Sequence, residues 1–141
     1  MRIDKFKREH LDAIILQERQ KGLEYLETSD LFDMLENDDS YSVLDDDVVL
    51  CCAGVVVAAA GRGIAWAYLA DELREKMVGV TRAVKRYLHL APFHRIEMHV
   101  DCDFDEAHRW AKMLGFHMEC ERMKAFTPDK RDCALYAMIK P

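Results

Sequence analysis

Two short spacings, His99-x-x-Cys102 and His117-x-x-Cys120, pair an imidazole with a thiol, as zinc knuckles do. In an extended strand, residues three apart point to opposite faces, so each pair needs a turn before it can share one ion. His99 lies in a strand-like segment and His117 opens another; only Cys102, past its strand end, can turn inward. No metal is expected. Cys51-Cys52 are neighbours that face opposite ways and read as small buried hydrophobes. Gly61-x-Gly63-x-x-Trp66 opens like a dinucleotide fingerprint, but a strand follows it, so the helix dipole such a site needs is missing. Asp45-Asp46-Asp47 lacks the Gly and Glu of a calcium loop and reads as a charged hairpin turn. No Gly-x-Ser-x-Gly or Walker pattern occurs. What remains is a cationic stretch from Arg74 to Arg86, including Lys76, Arg82 and Lys85, around Gly79. Such a stretch at the start of a helix can bind phosphate through backbone N–H groups, or it can be a solvated face.

These residues must be positioned by elements that the hydropathy pattern outlines. Residues 1–6 alternate loosely as a short strand, and 9–26 carry the apolar spacing of an amphipathic helix. Ser29 or Asp30 can cap a short helix over 31–36. A strand over 41–44, the Asp turn, and a long β-branched strand over 48–59 follow; the long strand is either buried on both faces or bent at Gly54. Gly61-Arg62-Gly63 reads as a tight turn into a strand over 64–69. Val80, Val84, Tyr87 and Leu88 mark a helix with one buried face, stopped by Pro92. A strand over 95–100 precedes a helix over 103–114, with an aspartate cap and Gly115 placed for a left-handed close. Two last strands, 116–126 and 133–139, flank a Thr127-Pro128-Asp129 turn. The order predicts a mixed α/β (α+β) domain: a largely antiparallel central sheet of about seven strands with about four helices.

Composition bounds the function. The 141 residues are 50% hydrophobic and 33% charged, which suits one domain spanning 1–141 with a core of its own. Six Gly and three Pro exclude disorder as a whole-chain description. A net charge of -6 offers no global attraction to nucleic acid, so none is expected as a partner. Five cysteines without a signal-like N-terminus fit a reducing cytoplasm. The longest apolar run, 48–60, is too short to span a bilayer, and no membrane association is expected.

The element order, with Leu114-Gly115-Phe116 closing the last helix, resembles the GCN5-related N-acetyltransferase (GNAT) fold over nearly the whole chain. In that family the fourth strand leads into Gln/Arg-x-x-Gly-x-Gly/Ala at the start of a helix. Lys76-Met77-Val78-Gly79-Val80-Thr81 holds the matching place here, with Lys for Arg and Thr for the last small residue. The resemblance implies acetyl-CoA or CoA as cofactor, lying between the fourth and fifth strands. Its pyrophosphate would rest on Lys76, Met77, Val78, Gly79, Val80, Thr81 and Arg82, with Lys85 and Arg86 as further cations. Its thioester carbonyl would meet backbone N–H groups at Tyr68, Leu69 and Ala70. An amine would attack the thioester directly.

Two family positions depart from the pattern. The tyrosine that protonates the departing thiolate falls on Ala111, and the cofactor-contacting asparagine on about Phe104. Cys102 or Tyr68 could replace the acid, since a thiol near its reference pKa of about 8.5 suits the task. Glu97 or His99 could replace the base that the fourth strand lacks. The Ala107-x-x-Trp110-x-x-x-Leu114-Gly115-Phe116 helix and the Tyr41-Ser42-Val43-Leu44-Asp45 strand also resemble the divergent acetyltransferase-like proteins of tailed bacteriophages. That second resemblance implies a host or virion protein partner, and a location in the host bacterial cytoplasm, for a protein that binds without turnover.

Overall fold

The computed structural model describes residues 2–13 and 39–141. Its elements run β1 (Arg2–Lys5), α1 (Arg8–Ala13), β2 (Ser40–Asp45), β3 (Val48–Ala59), β4 (Arg62–Leu69), a 3-10 turn (Asp71–Lys76), α2 (Met77–Leu90), β5 (Arg95–Asp101), α3 (Asp105–Leu114), β6 (His117–Met123) and β7 (Cys133–Ile139). The strands form a seven-stranded, mostly antiparallel sheet in the order β1-β2-β3-β4-β5-β7-β6. The fold is therefore mixed α+β, with three α-helices among the described residues. The helix expected over 31–36, and the 9–26 helix beyond Ala13, lie outside them. No helix among the described residues is long and apolar enough to cross a membrane.

The chain divides into two compact units, Met1–Val56 with Trp66–Glu75, and Val57–Ala65 with Lys76–Pro141. In the first unit, β2 pairs antiparallel with both β1 and β3. The β2–β3 turn places Asp46 and Asp47 at φ 47° and 67°, the left-handed pair that a tight hairpin needs and that Asp tolerates. Gly54 has its own reason: a Cβ there would lie 2.6 Å from the Asp39 carbonyl, while Val55 N–H donates to that same oxygen at 3.0 Å. Phe6, Leu44, Val49, Cys52 and Ala70 form the core, with Trp66 and Tyr68 packed on it. Trp66 meets Phe6 edge-on at 5.1 Å. Buried Ser42 lies 2.8 Å from His10 Nδ1 and donates to Cys52 Sγ at 3.6 Å, so a polar chain ties α1 to the sheet.

In the second unit, β4 and β5 are parallel over Arg62↔Arg95 to Ala65↔Met98. Parallel neighbours need a crossover, and α2 lies on the connection between them. β7 inserts between β5 and β6, antiparallel to both. Ile96, Val100, Trp110, Ala111, Leu114, Phe116 and Tyr136 are buried. α2 ends at Leu90 as Pro92 requires, and Lys140 Nζ donates to the carbonyls of Ala91 (2.6 Å) and His89 (3.4 Å) beyond it.

Three local expectations are corrected. β4 begins at Arg62, not at 64, because Gly61 alone takes the left-handed φ of 73° that turns the chain. No aspartate caps α3: its N-cap is Phe104, without a side-chain cap bond. Asp101 intervenes by accepting the Asp103 N–H at 2.9 Å. β6 stops at Met123, short of 126, where Ala125 turns to φ 50° and donates its N–H to Asp132. Gly115 closes α3 at φ 103° as expected.

The Gly61 carbonyl accepts both His94 N–H (2.9 Å) and Arg95 N–H (3.2 Å), and a Cβ there would press on the His94 ring at 2.3 Å. Gly61→Ala should therefore cost about 1–2 kcal/mol in urea unfolding, from the left-handed backbone and from displacing the exposed His94 side chain.

Candidate functional site

The start of α2 is the first candidate. Lys76 is its N-cap, no side chain makes a capping hydrogen bond, and no acid occupies the first turn. The first N–H groups of an α-helix have no partner within the helix, and they carry its positive end. Gly79 is exposed, as is Val78 at 74%. Thr81, which stands where the acetyltransferase pattern has a smaller residue, is turned away: its Oγ1 accepts the indole N–H of Trp110 at 2.9 Å. That bond locks α2 to α3. The residues present therefore fit a pyrophosphate at Lys76–Arg82, with no side chain filling the capping position. Lys85 and Arg86 do not belong to that cradle, since at 1.5 Å per residue they lie about 12 Å beyond the first helical residue.

Tyr68, Leu69 and Ala70 belong to the other unit. Ala70 donates its N–H to the Leu50 carbonyl at 2.9 Å, which removes it as a donor to a thioester oxygen. Tyr68 is half-buried beside Trp66, with ring centroids 6.0 Å apart.

Glu97 is not placed to act as a base. Its carboxylate is buried and accepts from Arg62 Nε (2.5 Å), Arg62 Nη2 (2.9 Å) and Arg95 Nε (2.7 Å). Arg95 continues outward to Glu119 through two bonds of 3.1 and 2.5 Å. The Arg62 hydrogen bond, aided by Arg95 and opposed by burial, pulls the Glu97 carboxyl from an ordinary 4.5 to about 2. A carboxylate held so firmly in its ionised form is a poor proton acceptor at neutral pH.

His99 and Cys102 follow on β5 and just past it. Burial pushes the His99 pKa down, which favours the neutral ring, and the ring stacks edge-on against Phe126 at 4.7 Å. Burial raises the Cys102 pKa; its thiol donates to the Glu121 carbonyl at 3.5 Å, so it is a protonated acid and not a ready nucleophile.

The structure also shows a pair that the sequence did not. His108 Nδ1 lies 2.7 Å from the Tyr136 hydroxyl, and its Nε2 lies 3.1 Å from the Cys102 carbonyl. A carbonyl can only accept, so Nε2 carries the proton and, in the neutral ring, the Tyr136 hydroxyl donates to Nδ1. His108 stands on α3 between Phe104 and Ala111, at helical spacing on one face, and Ala111 is fully buried. Its placement in the helix pattern was visible, but nothing local marked Tyr136 as its partner. Arg62 was missed for the same reason.

By sequence, the chain matches no family model and no curated protein. Solved structures are similar to it in fold. Ard1 from Thermoplasma volcanium superposes with TM-score 0.77 at 14% identity, over 99% of this chain and 97% of that one. An acetyltransferase of the GNAT family from Bacillus anthracis gives 0.68 at 12% identity, over 97% and 93%. yncA from Salmonella typhimurium, solved with its cofactor acetyl-CoA, gives 0.58 at 13% identity, over 71% and 63%. The chain thus has the GNAT fold.

Two measurements check the local chemistry. Glu97→Gln should lower stability by about 1–3 kcal/mol, because Arg62 and Arg95 lose a buried partner yet retain access to water, while Glu119→Gln should cost under about 1 kcal/mol. The folded pKa of Glu97 is depressed, so its stabilisation is complete above pH 4.5 and is lost as pH falls toward 2; the acid limb of unfolding should flatten in Glu97→Gln. With a thiol reagent, half-buried Cys102 and Cys120 should react in the native protein, and buried Cys51, Cys52 and Cys133 only on unfolding.

Proposed function

We propose that the protein binds acetyl-CoA and transfers its acetyl group to an amine. The observation that carries this reading is the α2 start: a helix beginning between Lys76 and Arg82 with no side-chain cap and no acid in its first turn, on a GNAT fold. Lys76, Met77, Val78, Gly79 and Arg82 would hold the pyrophosphate at the start of α2. When bound, acetyl-CoA would supply an acyl group already activated for attack.

The protein's own part is then proton handling. His99, kept neutral by burial, accepts the proton that the attacking amine releases. Cys102 returns a proton to the departing thiolate. Glu97 fixes β5 beside β4 and takes no proton.

A second reading is supported by Ala111, whose buried methyl stands where the resemblance places a tyrosine acid. On that reading the protein holds the cofactor without turnover and acts by contacting another protein. A host or virion protein as that partner rests on the resemblance of the 107–116 helix to phage-encoded proteins.

Titration calorimetry with acetyl-CoA separates these outcomes. The parent protein should bind, and Gly79→Glu should weaken binding by at least roughly tenfold. A glutamate in the first turn supports the helix while repelling phosphate, so the loss would not reflect unfolding. Absence of heat with the parent protein would overturn cofactor binding. Thiol release with an amine panel supports transfer, and His99→Gln should then lower kcat more than it alters acetyl-CoA affinity. Binding without release favours the second reading.

A further inference from the structure

Val78, Arg82, Arg86 and Leu90 follow one another at intervals of four on α2, a single ridge of apolar, cationic, cationic and apolar side chains. All four are exposed, Val78 by 74% and Leu90 by 70%. Lys85, also exposed, widens the cationic middle of the ridge, and the exposed imidazole of His89 follows it. Among the described residues none of Arg82, Lys85, Arg86 and His89 makes a side-chain hydrogen bond or ion pair. Arg62, Arg95, Arg122 and Arg131, by contrast, are each bound to a carboxylate.

Neither a pyrophosphate held at Lys76–Arg82 nor the helix itself accounts for Lys85 and Arg86. Lys85 and Arg86 lie too far along α2 to reach a phosphate at its start. The negative end of the helix is already met by the Lys140 ammonium on the His89 and Ala91 carbonyls. Like charges four apart, Arg82 with Arg86, repel and weaken the helix. No Asp or Glu occurs anywhere in residues 76–96, in a chain whose net charge is -6.

We propose that this ridge of α2 is a docking surface for an acidic, amphipathic segment of a partner protein. Carboxylates meet Arg82, Lys85, Arg86 and His89, and an apolar side chain at each end of the segment covers Val78 and Leu90. Charge complementarity selects an anion. The apolar ends select a protein over a nucleic-acid backbone, which would leave Val78 and Leu90 facing phosphate. The acidic remainder of the chain also repels a long polyanion, whereas a short segment ends before that repulsion grows. The inference stands apart from cofactor binding and does not need it.

Fluorescence anisotropy with a labelled helical peptide rich in Glu and carrying a leucine near each end tests it. The peptide should bind with an affinity that falls as salt rises. The double variant Lys85→Glu with Arg86→Glu should lose at least roughly tenfold, and Leu90→Ser at least about threefold. The charge-reversed variant should melt no lower than the parent, because Glu at position 86 attracts Arg82, so lost binding would not mean lost folding. A single-stranded RNA that binds more tightly than the peptide would overturn the assignment to protein. So would peptide binding indifferent to these substitutions, or no binding by the parent protein.

Discussion

One carboxylate fixes the only parallel pairing described in the sheet. Glu97 reaches Arg62 on β4 and Arg95 on its own strand, and Arg95 passes the link to Glu119 on β6. The link can cross β7 because Ala137, paired with Glu97 on one side and His117 on the other, leaves little side chain in the way. Parallel pairs have slanted hydrogen bonds and no hairpin to set their register. A side-chain tie between the strands supplies what a turn would otherwise supply. The burial of Glu97 makes the tie specific: a slip by one residue would turn its charge to the opposite face, away from Arg62 on β4.

Much of the strand framework could be read from local pattern. β3 and β7 occur with their expected limits, because apolar runs bounded by turn residues leave little choice of boundary. α2 ends where Pro92 forbids another turn, and Gly115 closes α3 because a left-handed residue is needed there. The errors share a cause. In both, an aspartate side chain claims a backbone N–H: Asp101 takes that of Asp103, two residues on, and Asp132 takes that of Ala125 across the β6–β7 turn. Local capping rules do not see such competition.

The candidate site divides in the same way. The α2 start is legible because its glycine and cations are contiguous. Glu97 looked like a base because Arg62, which disarms it, lies on another strand. Thr81 looked like an obstruction until Trp110 showed where its hydroxyl goes. In each case the residue type was correct and its partner, distant in sequence, decided the role. Ala111 and Phe104 differ: their departure from the acetyltransferase pattern needs no partner to be seen, and it persists in the structure.

The position of β7 also governs the order in which this half of the molecule can be made. β5 and β6 both pair with β7 and are separated by it, yet β7 follows them in the chain. During synthesis α2, β5, α3 and β6 all emerge before the strand that joins them. Until then β5 exposes an unpaired edge, and Arg95 waits for Ile139, its partner on β7. Such late, non-local closure slows folding and leaves strand edges open to other chains. The charges along β5, Arg95, Glu97 and Asp101, therefore serve the nascent chain as well as the finished one, since a charged edge resists wrong pairing while β7 is still to come.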